Sequence, residues 1–462
     1  MNIEFTDFIK DYRKRLSSLF GQLPQEEDSL HQRGLSPRIM DELAELSPSA
    51  VSIPAAYGGR GGDPAEILSL LEATSYESLP LALIFGINGA LFLEPLAKYG
   101  DERLKKETFS CFIGGRSLGG LMITEPNHGT DALAMQTSWR KSDTGYAIEG
   151  TKHWAGLSGH ADFWLMTARE RGAESDLKRD IDFFICDSSD PKQLVKPIEQ
   201  YSNLGLYMIP YARNQVDVDV PAHHRLIPHK SGIRLMQDLL HRSRMRFPGM
   251  AIGFLQRMMD EAVRHTQDRY VGGSSLFSYD QVQQRLSSLQ ADHTIASAFC
   301  RHSARISSID NDLSGKAMEA NIHKTVLSDM MQNAAQSLLQ LVGAKGYKTD
   351  HIAGRSVVDS RPFQIFEGSN DVIYQQVADG FLKHMKSINN FHLFSALQSH
   401  HLTEKIADRF KAITNFTVNP NMPQRKKVDF GRIFSRITGL DLTLDLGNRG
   451  FDQALIDQAV DS

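Results

Sequence analysis

The chain has 462 residues, of which 51 are lysine or arginine and 55 aspartate or glutamate, and 41% are hydrophobic, for a formal net charge of −4. That length buries several cores, and the composition is that of an ordinary globular protein. Near-balanced charge gives no global attraction to nucleic acid or to an anionic membrane.

From Phe5 to about Gly115 the texture is helical. Ile67, Leu70, Leu71 and Thr74 recur at helical spacing after Pro64, a favoured first-turn residue. Residues 79–85 running into 90–93 predict a buried helix pair. Gly58-Gly59-Arg60-Gly61-Gly62 follows no strand and has no Lys-Ser/Thr after it, so it reads as a flexible turn rather than a phosphate loop. The N-terminal residues lack a basic segment followed by an apolar run, so no signal peptide is expected. No stretch is expected to span a bilayer either.

Near Leu118 the period changes to alternation. Residues 146–150, 163–167, 181–185 and 215–220 are patterned as strands, with turns such as Ser142-Asp143-Thr144-Gly145 between them and Pro221 closing the last. Short strands at close intervals predict a small β-barrel or sandwich.

From about Gly232 helical texture returns. Ile322, Val326, Met330, Ala334 and Leu338 recur every four residues, and Val282, Leu286 and Leu289 begin a second stripe, which predicts a helix bundle. The order is α, β, α. The expected organisation is α+β, with a helical domain at 1–117, a β domain at 118–230, a bundle at 231–385 and a helical extension at 386–462. That extension carries a helical pattern (Phe391, Leu393, Phe394, Leu397) and then Arg425-Lys426-Lys427, Arg432 and Arg436, with Phe430 and Phe434 between. Such a basic face is ordinarily solvated, and Asp441 and Asp445 follow soon after, so nucleic acid is an unlikely partner on charge alone.

The three cysteines, Cys111, Cys186 and Cys300, lie far apart with no CxxC spacing, which argues against a disulfide framework or thiolate metal site and for a reducing, cytoplasmic location. His223-His224, His229 and His400-His401 have no HExxH or matched acidic spacing, so no metal site is expected.

Four stretches carry chemistry. In Leu121-Met122-Ile123-Thr124-Glu125-Pro126-Asn127-His128-Gly129-Thr130-Asp131 a strand enters a Pro-broken loop. Read alone, it is either a β-edge turn with a capping threonine or a backbone cradle for a planar polar ring and a phosphate. Gly150-Thr151-Lys152-His153-Trp154-Ala155-Gly156 places a large flat indole in or beside the same sheet, as core or as ligand platform. Gln340-Leu341-Val342-Gly343-Ala344-Lys345-Gly346-Tyr347 is a helix C-cap or a close backbone approach to a nucleotide. Phe363-Gln364-Ile365-Phe366-Glu367-Gly368-Ser369-Asn370-Asp371 sets a carboxylate before a turn that opens a helix.

Jointly and in order, these stretches resemble the acyl-CoA dehydrogenase family of FAD-dependent flavoproteins, over roughly residues 45 to 385. The resemblance implies an N-terminal helical domain, a middle β domain and a C-terminal four-helix bundle. It implies FAD held by Leu121, Ile123, Thr124, Gly129 and Thr130, with Trp154 against the isoalloxazine. It further implies Arg269 on the FAD pyrophosphate, Gln340, Gly343 and Ala344 at the adenine half of a neighbouring subunit's cofactor, and Ser369 and Asp371 touching the cofactor again. Arg244 aligns with an arginine of the substrate pocket, with Arg242 and Arg246 close by. Glu367 is then the base for the α-proton, and the backbone at Glu367-Gly368 steadies the thioester carbonyl. Gly156 departs from the family's usual Ser or Thr, so that a backbone N–H or Ser158 takes over donation toward the flavin, or the flavin's reactivity differs.

The implied activity is α,β-dehydrogenation of an acyl-CoA or acyl-carrier thioester in fatty acid metabolism. Electrons pass to an electron-transfer flavoprotein, and the assembly is a homodimer or homotetramer. The alternatives are a flavin-dependent monooxygenase of the same fold, which Glu367 argues against, and a flavin-binding, non-catalytic or nucleic-acid-binding member.

Overall fold

A computed structural model describes residues 3–22, 34–174 and 176–461, in two units: Met1–Arg246 with Ser307–Gly315, and Phe247–Ile306 with Lys316–Ser462.

Among the described residues the first unit begins with six helices, α1 (Ile3–Gln22), α2 (Pro37–Ala44), α3 (Pro64–Glu77), α4 (Leu79–Asn88), α5 (Glu94–Tyr99) and α6 (Glu102–Ile113). Their starts are written locally: the side chains of Ser36, Asp63, Ser78 and Asp101 accept from backbone N–H groups of the first turns of α2, α3, α4 and α6. The expected helix pair over 79–93 is instead one helix, Leu79–Tyr99, in which a π turn at Gly89–Leu93 joins α4 to α5. This corrects a second expectation, because the run is long and apolar enough to cross a membrane, with a mean hydropathy of 1.7. Its apolar window is nonetheless 94% buried inside the protein. Phe92, Leu93 and Leu96 share a core with Phe109, Phe112, Phe163 and Ile185, and a helix apolar all round is a core helix when protein surrounds it.

The glycine-rich turn is pinned rather than flexible. Backbone N–H groups of Arg60, Gly61 and Gly62 bond the carbonyls of Ala50, Ile53 and Val51 at 2.8, 2.9 and 3.1 Å. A Cβ on Gly59 would stand 2.1 Å from the Ile53 carbonyl oxygen.

Seven strands follow: β1 (Gly119–Met122), β2 (Ser138–Lys141), β3 (Gly145–Gly156), β4 (Phe163–Glu170), β5 (Asp182–Asp187), β6 (Lys196–Gln200) and β7 (Tyr211–Pro221). They form one curled sheet in the order β1-β4-β2-β3-β7-β6, with β5 on β4. Strand β4 takes β1 and β2 in parallel, and the other pairs are antiparallel. On β7, Val216, Val218 and Val220 are buried while Gln215 and Asp217 are exposed, the period of a half-buried strand. Helix α7 (Gly232–Arg244) completes this unit's regular structure.

The second unit holds α8 (Phe247–Asp268), a short hairpin of β8 (Tyr270–Val271) and β9 (Ser274–Ser275), α9 (Asp280–Ile306), α10 (Ala317–Val342), α11 (Ile352–Ser360) and α12 (Asn370–Ser387). After these come α13 (Leu393–Ser399), α14 (Lys411–Thr414), α15 (Gln424–Leu444) and α16 (Gln453–Asp461). Helix α10 packs on α8, α11 and α12; α15 lies on α12 and α9, and α16 on α9. The apolar stripe expected on α10 understates its burial, since residues 319–328 are buried on all faces while Met330 is only half-buried. Close approach of α15 to α12 requires glycine at 431, where a Cβ would lie 1.9 Å from the Tyr374 carbonyl oxygen. The basic run is partly turned onto the bundle. Lys427 pairs with Asp379 at 2.7 Å, and Arg432 lies over the Tyr374 ring and 3.7 Å from Asp371.

Buried histidines line the contact between the extension and the bundle. His302 and His323 meet at 3.2 Å, and His400 packs on Phe381 and Phe434. Loss of hydration holds the His323 and His400 imidazoles neutral, at about 4 for each, with His401 adding to the effect at His400. The unfolded value is about 6.5, so this stability is whole above that pH and falls as acid is added toward pH 4. At pH 5 the loss is about 2 kcal/mol per histidine. Urea unfolding at pH 7 and pH 5 measures it, and His400→Gln should narrow the gap between the two midpoints. A gap as wide in that variant as in the wild type refutes the assignment to His400.

Candidate active site

In the first unit the chain leaves β1 at Met122, and each successive carbonyl is tied from within. Met122 accepts from the Thr167 hydroxyl at 3.1 Å, Ile123 from Lys152 Nζ at 3.2 Å and Thr124 from the His153 N–H at 2.9 Å. The Glu125 carboxylate accepts from the N–H groups of Gln136 and Thr137 at 2.6 and 2.9 Å and from Lys152 Nζ at 3.1 Å. Glu125 and Lys152 are both buried, and the lysine has no exposed surface. Burial lowers Lys152 to about 8 against the pull of Glu125. Burial pushes Glu125 up, yet Lys152 and the two N–H groups outweigh it, leaving the acid below its ordinary range. The two residues come from the two sheet motifs, so one buried pair binds the loop after β1 to β3.

Strand β3 bulges between His153 and Ala155, and Trp154 there has φ 56°. A left-handed tryptophan costs about 1–2 kcal/mol. The bulge leaves the indole 50% exposed, with ring centroids of Tyr201 and Tyr211 at 4.5 and 5.9 Å. His153 Nδ1 lies 3.1 Å from the Tyr201 hydroxyl. Leu121, Ile123 and Thr124 are half-buried nearby, and Gly129 and Thr130 are exposed on the loop. A strained, outward indole beside half-buried apolar residues and a tied backbone fits a large planar ring such as a flavin.

Gly156 ends β3, and a Cβ there would stand 3.1 Å from Ile87 Cδ1 and 3.3 Å from Ile209 Cγ2, so a larger residue presses on both. Ser158 does not replace the missing hydroxyl. It is fully buried, donating to the Ala155 carbonyl at 2.8 Å and accepting from Asn214 Nδ2 at 3.0 Å. Arg244 is buried at the end of α7. Its neighbours are fold arginines: Arg246 grips Glu94 at 2.8 and 3.1 Å, and Arg242 reaches Asp238 and the carbonyls of Ser307 and Asn311.

In the second unit the chain passes a 3-10 turn at Arg361–Gln364 and then two left-handed residues, Glu367 at φ 53° and Gly368 at φ 95°. It enters α12 through Ser369, whose hydroxyl makes no capping bond. Glu367 and Gly368 are half-buried, whereas Ser369 and Asp371 are exposed. Phe363 and Phe366 anchor the turn on Phe247, with ring centroids at 5.6 and 5.9 Å. Helix α10 supplies polar anchors, Lys324 and Asp329, which no motif of the sequence marks. Their signal was a pair of charges inside a helix with apolar spacing.

Gln340, Gly343 and Ala344 are exposed at the other end of α10. Gly343 stops the helix at φ 71°, and Ala344 is not among the residues of positive φ, so alanine is unstrained there. Arg269, exposed just past α8, and Lys345 both bear on His265, which places Arg269 and the Gly343 turn at one end of the bundle. From Lys324 to Gln340 is roughly 24 Å of helix, so this group and the Glu367 turn are held apart on α10.

Folding also brings Glu107, His223 and His224 together, with potential ligand atoms within 4.8 Å of one another, a grouping invisible in the spacing of the sequence. Arg103 already engages that carboxylate at 2.8 Å.

The chain matches family models described as the N-terminal, middle and C-terminal domains of acyl-CoA dehydrogenase, over residues 20–116, 120–217 and 230–382. It is 26% identical over 390 residues to a short-chain specific acyl-CoA dehydrogenase of Megasphaera elsdenii, covering 80% of this chain and 97% of that protein. Among solved structures, an acyl-CoA dehydrogenase of Bacillus anthracis complexed with FAD superposes with a TM-score of 0.80 at 19% identity, covering 99% of this chain and 84% of that one. A prolyl acyl carrier protein oxidase superposes with a TM-score of 0.73 at 18% identity, covering 82% of this chain and 99% of that one.

Proposed function

The chain belongs to the acyl-CoA dehydrogenase family, and from that premise we propose that it introduces an α,β double bond into an acyl thioester. The substrate is carried on coenzyme A or on an acyl-carrier protein. The observation that carries this reading is Glu367, a carboxylate set in a left-handed turn between aromatic anchors and a buried polar cradle.

FAD is the cofactor, and when bound it would supply a two-electron acceptor for the hydride leaving the β-carbon. Leu121, Ile123, Thr124 and Trp154 would hold its ring, Gly129 and Thr130 its polar chain, and Arg269 a phosphate. The Glu367 carboxylate takes the α-proton, and its backbone N–H donates to the thioester carbonyl as negative charge develops there. Arg244 belongs to the substrate side. An electron-transfer flavoprotein is the partner that collects the electrons.

Anaerobic titration of the FAD-loaded protein with saturated acyl-CoA and acyl-carrier thioesters of graded length tests the reading. Loss of the oxidised-flavin absorbance with one series is the expected result. A protein unable to take up FAD, or a flavoprotein that no thioester reduces, refutes it.

A further inference from the structure

Lys324 lies where α10 is buried on every side, and it has no exposed surface. A lysine occupies such a place only with good partners. Its ammonium donates to the Gly368 carbonyl at 2.8 Å and to Asn370 Oδ1 at 2.7 Å. Farther along the same helix, the Asp329 carboxylate accepts from Gln364 Nε2 at 2.6 Å, Asn370 Nδ2 at 2.7 Å and the Tyr374 hydroxyl at 2.7 Å. Ser328 Oγ accepts from Asn370 Nδ2 at 3.0 Å.

These bonds fall on both flanks of Glu367. Gln364 precedes it; Gly368, Asn370 and Tyr374 follow it. Between the flanks the chain holds Glu367 at φ 53°, a conformation that costs about 1–2 kcal/mol for a residue with a side chain and persists only where its surroundings impose it. The ammonium sits on the carbonyl of the residue next to the base, and the carboxylate pins the residues where the turn begins and ends.

We infer that Lys324 and Asp329 are positioning residues for the reaction, acting through the 364–370 turn to present the Glu367 carboxylate in a single orientation. This rests on Glu367 being the base. A base displaced by about 1 Å loses on the order of 100-fold in rate, and α10, packed on α8, α9, α11, α12 and α15 of its unit, is rigid enough to prevent that.

The test uses the FAD-loaded full chain with Lys324→Met, Lys324→Gln and Asp329→Asn. It measures flavin content, melting temperature, KM, kcat and the isotope effect from α-deuterated thioester. The expected result for Lys324→Met is a kcat lowered about 10- to 100-fold, with KM and flavin content near wild type. Its isotope effect should be larger, because proton removal becomes rate-limiting. Lys324→Gln, which keeps a donor in the same space, should recover part of the rate. Folded, flavin-loaded Lys324 variants with wild-type kcat and isotope effect overturn the inference. Should Lys324→Met fail to fold, the nearly isosteric Asp329→Asn decides, and wild-type kinetics there overturn it equally. A wild-type protein that no thioester reduces refutes the base itself; an active wild type, a dead Glu367→Gln and undiminished Lys324 variants refute only the positioning role.

Discussion

Glu367→Gln slows flavin reduction by an acyl thioester about 100- to 10,000-fold, the contribution of a well-placed general base, while FAD content and melting temperature stay near wild type. Glutamine has the shape of glutamate and fits the same half-buried turn. It removes the basic oxygen and nothing else of comparable size. Glu367→Gly separates activity from strain. At φ 53° a glycine avoids the clash that a Cβ meets, so this variant is inactive yet gains up to about 1 kcal/mol of stability. Stopped-flow reduction and thermal melts check both. A glutamine variant within tenfold of wild type removes Glu367 from the chemistry.

Lys152→Met destabilises the protein by about 3–5 kcal/mol, because the Glu125 carboxylate is left buried without its cation. The methionine matches the lysine stem in length and apolar character, so the loss is electrostatic rather than a cavity. Pairing the change with Glu125→Gln returns most of the stability, since a neutral pair of the same shape carries no buried charge. The loop after β1 is tied to β3 through these two residues and the Ile123 carbonyl. The single variant therefore also weakens FAD binding. Urea unfolding of the singles and the double forms the cycle, and a single-variant cost under about 1 kcal/mol rejects the buried-pair account.

Much of the fold was legible locally. Pro64 with its Asp63 cap opens α3, and the strands at 146–150, 163–167, 181–185 and 215–220 fall within or against β3, β4, β5 and β7. Trp154 and Glu367 were visible as residues but not as conformations, because positive φ at a non-glycine residue is imposed by neighbours. Ser158 was offered a donor's part and turned inward to Asn214. That partner is on β7, and only strand pairing brings it near.

By itself the sequence determined helix starts, strand period and the ordered motifs that mark the family, because caps, prolines and side-chain spacing act within a few residues of chain. Tertiary structure alone decided that Leu79–Tyr99 is a core helix, since composition is the same for a helix wrapped in protein and one wrapped in lipid. It alone decided that Lys324 and Asp329 stand beneath the Glu367 turn. Buried charges select partners by distance in space, and those partners lie some forty residues farther along the chain.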